Sequence, residues 1–140
     1  MAMGRAVGGS SLVTGGVCFR TPDHVLDTWV NQRGLTDLSA AKLDAAFADV
    51  EKAVHVEEVP VSMRSKGTNK FIEGAEKMGM VMEPIHRNTR GCNGCGRCNF
   101  GCPHQAKWSV DLTYLPRALH AGATLISDCL VEKVLTHGER

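Results

Sequence analysis

The stretch GRAVGGSSLVTGG, Gly4 to Gly16, packs five glycines, two serines and a threonine into thirteen residues around a single arginine. Composition alone leaves two readings open, a flexible start to the chain or a loop shaped around an anion. Glycines suit either, but Val7, Leu12 and Val13 fit poorly in a linker. Successive glycines can turn their backbone N–H groups toward an anion, Ser10 and Ser11 add hydroxyl donors, and Arg5 can pair with a phosphate. The nucleotide motifs do not apply. A Walker A loop needs a lysine after its second glycine, and GRAVGGSS has none. A Rossmann fingerprint needs a strand in front of it, which Met1 to Met3 cannot supply.

Outward from this loop, the 140 residues suffice for one domain, with 43% hydrophobic side chains. A chain of that size can bury roughly two-thirds of its unfolded surface, so a core is expected. Sixteen basic against fifteen acidic side chains leave a net charge of +1, which gives no electrostatic reason for nucleic acid. No apolar run approaches the ~20 residues of a membrane span, and no continuous apolar segment marks a signal peptide. The expected location is the cytoplasm, with membrane association left open for a longer, complete enzyme.

Pro22 and Asp23 open a short helix over DHVLDTWV. Leu43, Phe47, Val50 and Val54 form one apolar stripe, which predicts a helix within Thr36–Val54, with Thr36, Asp37 and Ser39 all able to cap it. Residues 56–63 read as a short edge strand because Pro60 excludes a central one. A further helix is predicted over Lys66–Met78, ending at Gly79, and an extended MVMEPIHRN follows. LTYLPRALHA, 112–121, reads as a helix with Pro116 in its first turn and Gly122 as its stop. ATLISDCLVEKVL, 123–135, has strand composition, with a terminal turn expected at Gly138.

Between Gly91 and Pro103, Cys92, Cys95, Cys98 and Cys102 form C-x2-C-x2-C-x3-C-P. That is the bacterial ferredoxin spacing for a [4Fe–4S] cluster, with Gly94, Gly96 and Gly101 permitting a tight wrap. Zinc held by four cysteines, or by three with His104, and a reduced loop that binds nothing are the alternatives. Cys18 and Cys129 stand alone and read as packing residues.

Two stretches carry a resemblance. GRAVGGSSLVTGGVCFRTPDHVL resembles the first signature of the glucose–methanol–choline (GMC) flavoprotein oxidoreductases. GCNGCGRCNFGCPHQAKWSVDLTYLPRALHAGATLISDCLVEKVL resembles their long-chain alcohol oxidase branch, in the family's order. The resemblance implies an α/β fold, with residues 1–140 as part of a Rossmann-like FAD-binding domain lacking its first strand and GxGxxG turn. It also implies a cysteine-rich loop at 91–103 that need not carry a cluster. It places Arg5, Gly8, Gly9, Ser10 and Ser11 along FAD, and Val131 where a backbone meets the adenine. Thr14 falls where the family usually has Asn or His near the flavin. The implied reaction is oxidation of an alcohol CH–OH group, with hydride passing to flavin N5. The family's acid–base residues have no counterpart here, so no catalytic residue is assigned. The chain then looks like an internal piece of a longer enzyme, inactive alone, whose partners are a small alcohol and the rest of that enzyme. A small iron–sulfur electron carrier is the alternative function.

Overall fold

The computed structural model describes residues 4–133. Its elements run from a 3-10 turn, Gly9–Val13, through β1 (Val17–Cys18), α1 (Asp23–Arg33), α2 (Ala40–Ala53) and β2 (Val56–Glu58). They continue through a second 3-10 turn at Val61–Met63, α3 (Lys66–Lys77), β3 (His86–Asn88), a third 3-10 turn at Cys98–Phe100, and α4 (Tyr114–His120). The class is mixed α/β, as the sequence implies.

The helices follow their local signals. Pro22 sits at the N-cap of α1, and Gly34 ends it with φ +69°. Ser39 caps α2, its hydroxyl accepting the Lys42 N–H at 3.3 Å. Ser65 caps α3 in the same way, accepting from the Thr68 N–H at 3.0 Å. Each such cap satisfies one of the donors a helix start leaves without a partner. Pro116 lies in the first turn of α4, where its missing N–H costs nothing.

The sheet is small and antiparallel, in the order β1-β3-β2. Val17 pairs with Arg87, and Glu57 pairs with Arg87 from the other side. β2 is an edge strand, but it covers only Val56–Glu58 of the strand expected over 56–63: Pro60 lies beyond its end and caps a 3-10 turn at Val61–Met63. The pairing continues past β3: Thr89 bridges Lys107, Arg90 N–H donates to Ala106 O at 2.8 Å, and Trp108 N–H donates to Asn88 O at 2.8 Å. Residues 106–108 are thereby held against the strand that also carries β1.

Two expectations are corrected. Residues 123–133 form no strand. Asp128 adopts φ +53°, outside the extended region, so the aliphatic run is bent in its middle. The remaining residues of that expected strand, and the turn at Gly138, lie outside the described residues. The second correction concerns the core. Ala75 and Ala106 are the only buried apolar side chains among the described residues, whereas Thr89, Lys107, Ser109 and Thr113 are buried too. The chain exposes 11294 Å², against about 7,100 Å² for a compact monomer of this length. Phe71, Met78, Val81 and Phe100 stand well out into solvent. No helix among the described residues is long and apolar enough to cross a membrane.

Candidate functional site

The opening stretch is an ordered turn. Gly8 and Gly9 take φ +97° and +60°, a backbone that L side chains rarely adopt. A Cβ at Gly8 would also collide with Leu12 Cδ1. The serines behind them hold the turn closed. Ser10 Oγ accepts the Gly4 N–H at 2.9 Å. Ser11 Oγ donates to Gly8 O at 2.7 Å and accepts the Val110 N–H at 3.2 Å, which pins the turn to the segment before α4.

A cleft of about 610 Å³ opens beside this turn. One wall is Arg5 to Gly8; the other is Leu125 to Leu130, with Leu115 of α4 between them. Two stretches more than a hundred residues apart in sequence, both assigned to one cofactor by the family resemblance, thus face the same space. Arg5 is exposed and makes no ion pair among the described residues. Val131 is exposed and directly follows Leu130 of the wall. Thr14 is exposed, its hydroxyl turned back toward Ser11 O at 3.5 Å.

The cysteine loop packs its Cys98–Phe100 segment against the Gly9–Val13 turn. Among the described residues, no three or more His, Cys, Asp or Glu side chains converge to hold a metal ion. All six cysteines are free thiols. Cys98 Sγ instead accepts from Arg87 Nη2 at 2.7 Å, and Cys102 Sγ accepts the Ala106 N–H at 3.3 Å. Cys92 Sγ accepts the Gly94 N–H at 3.4 Å, and Cys95 is exposed. Burial pushes the Cys102 thiol up, but the backbone N–H groups of Lys107, His104 and Ala106, with the Lys107 charge, outweigh it and hold the thiol below its ordinary value. Cys18 goes the other way, raised chiefly by burial.

Two cations that sequence reasoning left without a role join these loops. Lys107 is 1% exposed, and its Nζ donates to Leu12 O at 2.7 Å, Thr14 O at 2.8 Å and Cys98 O at 3.0 Å. Burial pulls its ammonium below the ordinary lysine value, while the nearby Cys98 and Cys102 sulfurs push back. Arg87 donates through Nε to Gly15 O at 3.0 Å and through Nη2 to the same carbonyl. Gly16 makes room for this packing: a Cβ there would run into Asn88 Oδ1 and stand 3.2 Å from Lys107 Cδ. Nothing in the sequence around Lys107 separates it from a surface lysine; only the bridge from Thr89 buries it.

Arg5 brings a positive charge to one wall of the cleft, and the opposite wall mixes Leu125, Ile126 and Leu130 with Ser127, Asp128 and Cys129. Residues 1–140 match the family described as GMC oxidoreductase. An uncharacterised GMC-type oxidoreductase of Mycobacterium tuberculosis is 37% identical over 140 residues, 100% of this chain and 22% of its own length. Long-chain-alcohol oxidase FAO1 of Arabidopsis thaliana is 32% identical over 133 residues, 94% of this chain and 17% of its own length. A GMC-type oxidoreductase of Sinorhizobium fredii is 28% identical over 133 residues, 26% of its own length. The chain thus spans between 17% and 26% of these relatives. No solved structure matches it.

Proposed function

From the premise that the chain belongs to the GMC oxidoreductase family, we propose that it supplies part of the FAD-binding domain of an enzyme oxidising a CH–OH group of an alcohol. All 140 residues belong to that one partial domain. The observation that carries this reading is the single cleft walled by Arg5–Gly8 and by Leu125–Leu130.

FAD, when bound, supplies the hydride acceptor; the protein supplies binding and orientation. Arg5, exposed at the cleft and without an ion pair among the described residues, is free to take a phosphate through its guanidinium fork. Gly8 puts its backbone on the cleft wall, and Gly9 after it completes the positive-φ turn that shapes that wall. The two serines divide the work. Ser10 Oγ accepts from Gly4, which leaves its own proton available to a ligand oxygen. Ser11 has spent its proton on Gly8 O and shapes the turn. Val131 extends the opposite wall, offering backbone rather than side chain to an adenine. Thr14 contributes one hydroxyl near the flavin.

The substrate class is a long-chain alcohol, on the strength of the Arabidopsis relatives' names. The reading keeps the protein in the cytoplasm, where six free thiols stay reduced. The four-cysteine loop enters it as a scaffold tied to Arg87 and Lys107.

The test is the full-length protein, purified and examined by visible absorbance. The expected result is an oxidised flavin spectrum that bleaches anaerobically when a long-chain primary alcohol is added. A colourless protein that takes up no added FAD overturns the cofactor assignment. A flavin that no alcohol reduces overturns the substrate class alone.

A further inference from the structure

Asn93 is followed by Gly94, whereas every other asparagine is followed by a residue with a side chain: Gln32, Lys70, Thr89 or Phe100. A main-chain nitrogen can attack the side-chain carbonyl of the residue before it and close a five-membered ring. A Cβ on the attacking residue crowds that approach, and glycine has none. Asn93 lies in the cysteine loop and is exposed, so water reaches it.

The loop sets up both reacting groups. Asn93 Oδ1 accepts the Cys95 N–H at 3.2 Å. A donor in that place polarises the side-chain carbonyl and meets the negative charge that develops on its oxygen when the carbon is attacked. Gly94 takes φ +74°, and its own N–H makes no bond to a main-chain carbonyl among the described residues. Its partner there is Cys92 Sγ at 3.4 Å, a weak acceptor. The other asparagines lack this pairing. Asn99 is exposed too, but the N–H of Phe100 after it is bonded to Arg97 O at 2.9 Å. The Thr89 N–H after Asn88 is bonded to Arg87 O at 2.9 Å, and Asn31 and Asn69 lie inside α1 and α3.

We propose that Asn93 is a self-modifying site: the loop holds its side-chain carbonyl polarised beside an unshielded Gly94 nitrogen, so that the pair closes to a succinimide and reopens as aspartate and isoaspartate. The bond from Gly94 N to Asn93 Cγ forms and the Cγ–Nδ2 bond breaks. The side-chain nitrogen leaves as ammonia, taking up the proton that Gly94 N gives away. Water then opens the ring at either of its two C–N bonds, and no oxidant or cofactor takes part. One opening gives aspartate. The other gives isoaspartate, with one extra carbon in the main chain between Cys92 and Cys95. Either way a carboxylate replaces a neutral amide in the cysteine loop. This site stands independently of the FAD assignment.

The test is peptide mapping by mass spectrometry on the full-length protein, kept warm at neutral pH in buffer and, in parallel, in urea. Conversion at Asn93 is expected to run several-fold faster in the folded protein than in urea, with isoaspartate among the products and Asn99 intact over the same time. Gly94→Ala is expected to slow the conversion about tenfold, which corresponds to ~1.4 kcal/mol of barrier. If Gly94→Ala does not fold, the comparison of folded and urea-treated wild-type protein decides the matter. Conversion no faster in the folded protein than in urea overturns the inference, because the loop geometry then contributes nothing. An Asn93 that stays intact, or a folded Gly94→Ala protein that converts at the wild-type rate, overturns it as well.

Discussion

The junction of the glycine turn with the cysteine loop and the face around α3 are built in opposite ways. At the junction, directional bonds do the holding. Lys107 and Arg87 reach into carbonyls from sequence neighbours more than seventy residues away, and Ser11 pins a turn to Val110. Around α3, one alanine is buried while Phe71, Met78 and Val81 are exposed. The first region has its geometry fixed by stoichiometry, three protons to three carbonyls. The second has an apolar face with little packed on it. A cofactor site needs groups held in place, and the polar junction offers that where a thin apolar contact would not.

Four measurements break or sharpen this contrast. The largest effect is expected at the junction's centre. Lys107→Met strands three carbonyls and should lower the unfolding free energy of the full-length protein by about 3 kcal/mol, read from the urea midpoint. A loss under about 1 kcal/mol would make the junction no stronger than a surface contact.

Gly8→Val comes next. It places a branched side chain at φ +97° and drives a Cβ into Leu12, so a loss of about 2 kcal/mol is expected, with flavin content falling in parallel. Unchanged flavin content would remove Gly8 from the cradle.

Cysteine titration gives a smaller, signed effect. Alkylation by iodoacetamide, followed residue by residue by mass spectrometry, should show Cys102 reacting with an apparent pKa below an ordinary thiol and Cys18 above it. The linkage follows the same signs. Cys102, lowered on folding, contributes stability that is present above the unfolded thiol value and is lost as pH falls through its folded value. Cys18, raised on folding, contributes stability below the unfolded value that is lost as pH rises through its folded one. Identical titrations at the two sites would mean that the amides around Cys102 do not hold its sulfur.

The smallest effect belongs to the other region. Phe71→Ser should change the unfolding free energy by less than about 0.5 kcal/mol, as at any exposed position. A loss of several-fold more would show that this face is covered in the full-length protein.

The same contrast explains how much could be read from the sequence. Helices α1 to α4 were legible because period, caps and stops are local: Ser39, Pro116 and Gly79 each state a boundary by their own chemistry. The glycine turn was half legible: composition left a flexible start and a shaped loop both open, and the positive φ at Gly8 and Gly9 is what the structure adds. β1 and β3 are two and three residues long and carry no periodicity to detect. The aliphatic run from Ala123 reads as a strand until Asp128 bends it, and a single residue in the left-handed region leaves no trace in composition. The cysteine spacing does predict a tightly wrapped loop, but spacing cannot say whether sulfurs face one another or face Arg87 and backbone N–H groups. Lys107 was the least legible of all, because a lysine between Ala106 and Trp108 looks like any solvated charge until tertiary pairing buries it.

The most direct test of the central claim, one cleft for one flavin dinucleotide, is hydrogen–deuterium exchange on the full-length protein with and without FAD. Slowed exchange at both walls together, within Arg5–Gly9 and within Ser127–Leu130, is the result expected of a ligand lying between them. Slowing at neither wall, with FAD bound and protection found only elsewhere in the chain, would contradict it.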